Sequence, residues 1–157
     1  MTAIGQEKEY SNANVFQLRH MHRYIEQTAN PNKLKPERID ELKTRALSVR
    51  KLAPKMYKEA YILIQRLDGE QFVDIDKMWE HDLKMVQWRS QKNDFDYSDD
   101  ELIHPFRHFD EYIKQIEEGN LSAQRISELK NRLSIVMTYT VHAYEDAARI
   151  MDILYEQ

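Results

Sequence analysis

The chain carries the same two-helix unit twice, and this repeat limits what it can fold into more than any other feature. Leu18-Arg19-His20-Met21-His22-Arg23-Tyr24-Ile25-Glu26-Gln27 aligns with Phe106-Arg107-His108-Phe109-Asp110-Glu111-Tyr112-Ile113-Lys114-Gln115, sharing Arg, His, Tyr, Ile and Gln in register. A second block, Arg38-Ile39-x-Glu41-Leu42-Lys43-x-Arg45, aligns with Arg125-Ile126-x-Glu128-Leu129-Lys130-x-Arg132. The register then holds to Tyr57/Tyr144, Glu59/Asp146, Ala60/Ala147 and Leu67/Leu154. Each copy has an apolar face that its twin can cover, so the pattern calls for two related halves packed on each other.

Three glycines and four prolines in 157 residues leave few places to turn, and no stretch alternates like a strand. The expected fold is all-α: a helical bundle of about five helices, built from two repeated αα-hairpins joined by a central helix. Residues 1–12 are polar and aperiodic and read as a flexible arm. Hairpin repeat 1 covers 16–70, the central helix 72–92 and hairpin repeat 2 98–157, all within a single domain spanning 1–157. A chain of this size buries enough surface to fold without staples.

Helix boundaries follow from punctuation. The first helix is predicted over Asn14–Thr28, ending at Ala29-Asn30-Pro31-Asn32, and the second opens at Pro36 and runs to Leu67. Pro54 lies inside the second helix and predicts a kink. The central helix is predicted over Asp74–Ser90, the fourth helix from a Ser98/Glu101 capping box to Gly119-Asn120, and the fifth from Ser122 onward. In the second helix Ile39, Leu42, Ala46, Val49, Ala53, Met56, Ala60, Leu63 and Leu67 recur at spacings of three and four. Ile126, Leu129, Leu133, Val136, Thr140, Ala143, Ala147, Ile150 and Leu154 repeat the pattern in the fifth. These are heptad seams, which pack nearly parallel or antiparallel to another helix.

Function is less legible. The absence of cysteine excludes a disulfide scaffold, a thiolate zinc site and a cysteine nucleophile. There is no basic-then-apolar leader and no run as long as a membrane span, so the expectation is a cytoplasmic protein without a membrane partner. No glycine-rich phosphate loop or serine elbow occurs, and the Asp94–Asp100 run lacks the glycine and bidentate Glu of a calcium loop. His104 and His108 have helical spacing for one ion, yet the paired Glu-x-x-His of ferritin-like bundles is missing. The reading is therefore non-enzymatic, with no catalytic, metal or cofactor residue.

Two features point to macromolecular contact. In the central helix Phe72, Ile75, Trp79, Leu83 and Val86 mark one face, while Met78, Met85 and Trp88 widen the apolar arc beyond that of a surface helix. The repeated polar residues Arg19, His20, Tyr24, Arg107, His108 and Tyr112 flank apolar positions and join them as candidate interaction residues. The expected function is a protein–protein interaction module, acting as adaptor, inhibitor or assembly factor on a protein partner, with a homodimer plausible from the seams. The alternative is a small-ligand or metal-binding bundle using His20 and His108 with Glu59 and Asp146. A third reading starts from charge: residues 33–67 hold ten Lys or Arg against four acids, whereas 68–118 hold fifteen acids against six basic residues. Lys51, Lys55 and Lys58 would then contact nucleic acid, although no recognition motif accompanies them.

Overall fold

The computed structural model describes residues 10–11, 14–69, 74–89 and 95–156, and for Trp88 and Arg89 the backbone only. Among these residues there is no strand, and seven α-helices and one 3₁₀ turn make up the fold. Two helices of 33 residues dominate: α3 (Pro36–Asp68) and α7 (Ala123–Tyr155). At 1.5 Å per residue each is roughly 50 Å long.

Their ends are set by local chemistry. Pro36 occupies the first turn of α3, where its missing N–H costs nothing, and Gly69 closes the helix in the left-handed region at φ 67°. The Ser122 hydroxyl accepts the Arg125 N–H at 3.1 Å and caps α7. α3 continues as a helix through Pro54.

The long helices run antiparallel, because residues early in one meet residues late in the other. The Lys43 ammonium lies 4.4 Å from the Tyr155 ring. Lys130 pairs with Asp68, and Arg50 Nη1 donates to the Tyr144 carbonyl at 3.1 Å. Along the contact the predicted seams are buried from Leu42 to Leu63 and from Leu129 to Leu154, with Ile39, Leu67 and Ile126 partly exposed at the ends. Ala46, Ala53, Ala60, Ala143 and Ala147 permit close approach of the two backbones.

The short helices depart from the sequence expectation. The first helix is broken at His20 into α1 (Phe16–Arg19) and α2 (Met21–Thr28), and the fourth at His108 into α5 (Asp100–Arg107) and α6 (Phe109–Glu118). The two breaks have nearly the same backbone angles, φ −115°, ψ 17° at His20 and φ −116°, ψ 11° at His108. At His20 the ring Nδ1 lies 2.7 Å from the Phe16 carbonyl, the acceptor its own N–H would use in a continuous helix. That N–H bonds Gln17 instead, at 3.3 Å. The bend has a packing consequence: α1 lies on α3 while α2 crosses to α7, and α5 lies on α7 while α6 reaches α3. Each broken helix thus touches both long helices. The cap of α5 also differs, since Asp99 rather than Ser98 accepts the Glu101 N–H, at 3.0 Å, and the Ser98 hydroxyl turns to Asp96. A carboxylate is the stronger acceptor at a helix start.

The main core fills the space between these short helices and the α3/α7 pair. Tyr10, which the sequence places in a polar arm, belongs to it: its ring meets Phe109 edge-on at 4.8 Å and its N–H donates to Asp110 Oδ1 at 3.3 Å. Residues 1–9 and 12 of that arm lie outside the described residues. The remaining helix, α4 (Ile75–Arg89), stands apart from this core and packs only on the long pair among its strong contacts. It is not wedged between two hairpins. Glu80, His81, Lys84, Met85 and Gln87 face solvent, while Ile75 and Trp79 are buried.

Candidate functional site

The polar residues shared by the two copies make matching contacts. Arg38 Nε donates to Gln27 Oε1 at 2.9 Å and Arg125 Nε to Gln115 Oε1 at 3.0 Å. The same guanidinium groups bond Glu41 at 2.7 Å and Glu128 at 3.0 Å. Two turns further along, Arg45 Nη1 lies 3.4 Å from the Tyr24 hydroxyl and Arg132 Nη1 3.3 Å from that of Tyr112. Both tyrosines are core residues, 2% and 1% exposed, so their rings are out of reach of a partner. Arg19 is half-buried, and burial together with the charge of Arg107 lowers its pKa.

The histidines are likewise occupied locally. His20 stacks on Phe16 with ring centroids 4.0 Å apart, and burial lowers its pKa despite the bond to the Phe16 carbonyl. The His108 ring lies tilted beside that of His104, with centroids 4.4 Å apart, and its Nδ1 lies 3.4 Å from Glu111. Asp146, 5% exposed, accepts the Tyr97 hydroxyl and Arg149 Nη1 at 2.8 Å. Nothing draws His20 or His108 to Glu59 or Asp146, and among the described residues no three His, Asp or Glu side chains gather into a metal-ligating group. Of the three lysines proposed for nucleic acid, Lys51 and Lys55 are exposed, but Lys58 is paired with Asp76 at 2.6 Å.

No family model, curated protein or solved structure matches this chain. Geometry alone must locate the site, and it singles out the seat of α4. Trp79 stands edge-on between Tyr57 and Tyr144, at centroid distances of 5.0 and 5.2 Å, and with Val141 forms a small second core. Polar clasps flank it: the Tyr57 hydroxyl donates to Asp82, and Gln87 Nε2 donates to Glu145 at 2.8 Å. Burial first, then the Asp82 bond and charge, push the Tyr57 phenol well above its usual pKa, so it stays a donor.

Beside this seat a groove of about 290 Å³ opens between α4 and α7. Met85, Val86, Met137 and Val141 form its apolar walls, with Thr138 and His142 at its edge. Met85 is 39% exposed and Met78 is half-buried. The Trp88 side chain, the third apolar residue singled out in the sequence, lies outside the described residues. No helix among the described residues is long and apolar enough to cross a membrane.

One functional pairing escaped the sequence reading although the signal was present. Glu9-Tyr10-Ser11-Asn12 aligns with Asp96-Tyr97-Ser98-Asp99 in the register of the Arg38/Arg125 block, so the repeat begins earlier than Leu18/Phe106. Tyr97 is buried against Asp146; Tyr10 is buried near Glu59, the residue matched with Asp146. Burial, then the Glu59 and Asp110 charges, raise the Tyr10 pKa; burial, then Asp146, raise that of Tyr97. The Glu59 and Asp146 positions are thus each associated with a buried phenol.

Proposed function

We propose that this chain is a non-enzymatic protein–protein interaction module, a duplicated helical-hairpin bundle that works as an adaptor, inhibitor or assembly factor. The carrying observation is the apolar groove between α4 and α7, which the partly exposed Met85 lines together with Met137 and Val141. Methionine and aromatic side chains are favoured at interface cores because they adapt to a partner's shape while excluding water. The groove offers an α-helical apolar face a row of soft contacts, the helix-in-groove mode of recognition. Arg19, His20, Arg107 and His108 border the short helices and are secondary contributors, while Tyr24 and Tyr112 act from within by holding Arg45 and Arg132.

The local bonds of His20 and Asp146 weigh against the small-ligand and metal reading, and the pairing of Lys58 with Asp76 against the nucleic-acid reading. The test is affinity capture from the native cell with wild type, Met85→Glu and Met137→Glu, alongside the mass of the purified protein. The proposal expects both variants to lose a stoichiometric partner, or a second copy, while retaining wild-type helical content. Undiminished capture by both variants would overturn it.

A further inference from the structure

The two copies of the repeat place an imidazole at the same bend and surround it differently. Extended two residues toward the N-terminus, the first alignment matches Phe16 with His104, and within it Arg23 matches Glu111. In the first copy the Phe16 ring stacks on His20, whose Nδ1 lies 2.7 Å from the Phe16 carbonyl. In the second copy the ring beside His108 is another imidazole, with centroids 4.4 Å apart and planes tilted by 45°. The His108 Nδ1 faces Glu111 Oε2 at 3.4 Å. Since the backbone angles at His20 and His108 are nearly identical, the bend itself is served as well by a phenyl ring one turn before it and an arginine three residues after. Histidine at 104 and glutamate at 111 add what those residues lack: ring nitrogens and a carboxylate.

Imidazoles four residues apart on a helix share one face, and that spacing lets both reach a single metal ion. Tetrahedral bonds of about 2.0–2.1 Å set the two nitrogens about 3.3 Å apart, within reach of side-chain rotation for rings this close. Glu111 stands where the outer partner of a metal-bound histidine normally stands, on the second ring nitrogen, which leaves the His108 Nε2 for the ion. His104 is exposed and, with Asp100 and Glu101, lines a groove of about 420 Å³ between α5 and α7. Burial first, then the charges of His108, Arg132 and Arg107, lower the His104 pKa, so its ring is unprotonated at neutral pH, the form that a metal binds. Arg107 and Arg132 oppose a cation here, while Asp100, Glu101 and Glu111 favour it, and Arg132 is directed to the Tyr112 hydroxyl.

We propose that His104 and His108 bind one divalent transition-metal ion at the end of α5, with Glu111 orienting His108 and water completing the coordination. Two imidazoles select the zinc, nickel and copper class over magnesium or calcium. The donor set differs from the combination of His20 and His108 with Glu59 and Asp146, which does not gather into a metal-ligating group among the described residues. Bound there, the ion links the last turn of α5 to the residue at which the chain bends into α6. It thereby holds the bend that lets α5 lie on α7 and α6 reach α3.

Titration of the whole chain with zinc alone, in competition with a chromophoric chelator near neutral pH, tests it in wild type, His104→Phe and Glu111→Gln. Wild type should take up one zinc per chain. His104→Phe gives the second copy the ring that the first already carries, so helical content is kept while the uptake is lost. Glu111→Gln should retain the stoichiometry and weaken affinity roughly tenfold. Copper should displace the zinc, and a large excess of magnesium should not. Saturating zinc should also raise the thermal midpoint of wild type and leave that of His104→Phe where it was. Met85→Glu should bind zinc as wild type does, so this site and the α4–α7 groove stand or fall separately. Wild-type chain that takes up no zinc overturns the proposal. So does His104→Phe that takes up zinc like wild type, which would assign the ion to other histidines, and so does an unchanged affinity in Glu111→Gln.

Discussion

Replacing Trp79 with alanine should detach α4 and little else. Large-to-small changes of a buried Trp cost about 3–5 kcal/mol, and a side chain at the edge of a three-residue cluster falls in the lower half of that range. The two edge-on contacts with Tyr57 and Tyr144 account for about 0.5–1.5 kcal/mol each within the total. What remains to hold α4 is weaker. The Lys58–Asp76 pair, with side chains 41% and 76% exposed, adds roughly 0–1 kcal/mol, and the Tyr57–Asp82 bond about 1.5–3 kcal/mol. A loss of about 3–4 kcal/mol from the local opening of α4 corresponds to a rise of roughly 150- to 800-fold in its opening equilibrium. Hydrogen exchange read by peptide should show this acceleration across 75–89, with the seam regions of α3 and α7 changed by far less. Equal acceleration throughout α3 and α7 would refute the reasoning, because it would make the Trp79 cluster part of one cooperative core.

Two other expectations follow from geometry already described. Arg45→Ala and Arg132→Ala remove bonds of matching length to Tyr24 and Tyr112, each with the guanidinium 5.7 or 5.8 Å from the ring, so each should cost about 1–2 kcal/mol in urea denaturation. The double variant should show the sum to within about 0.5 kcal/mol, since the sites share no partner. In alkaline titration, Tyr10, Tyr24, Tyr57, Tyr97 and Tyr139 should resist ionisation, their pKa values being raised first of all by burial. A raised folded-state pKa means that the folded chain holds protons the unfolded chain releases. Stability is then complete below about pH 10 and lost as pH rises above it. Phenolate absorbance should accordingly develop in two phases, the second coinciding with loss of helical signal; five early, reversible ionisations among these tyrosines would contradict the assignment.

How much of this was legible in the sequence depends on the range of the interaction. The seams of α3 and α7 were readable residue by residue, because a spacing of three and four fixes a face whatever covers it. The ends at Pro36, Gly69 and Ser122 were readable for the same reason: a cap is decided within a few residues. The breaks at His20 and His108 were not, since both stretches carry good helical periodicity and only the need to touch two long helices bends them. Tyr10 and Tyr97 look like loop tyrosines until the fold brings them to Phe109 and Asp146. The candidate surface was half legible. An apolar arc too wide for one face was visible along 72–88, but which part α3 and α7 would cover, and that Met85 and Met137 would line one groove, required the packing itself.

The placement of α4 bears on stoichiometry. On the side of the long pair occupied by the short helices, contacts come in matched sets, Arg38 with Arg125 and Arg45 with Arg132. On the other side a single helix, without a counterpart in the repeat, lies across both long helices and so makes the two halves inequivalent. A partner held by α4 and α7 in the proposed mode would therefore meet one seat per chain rather than two, and titration should saturate at one to one.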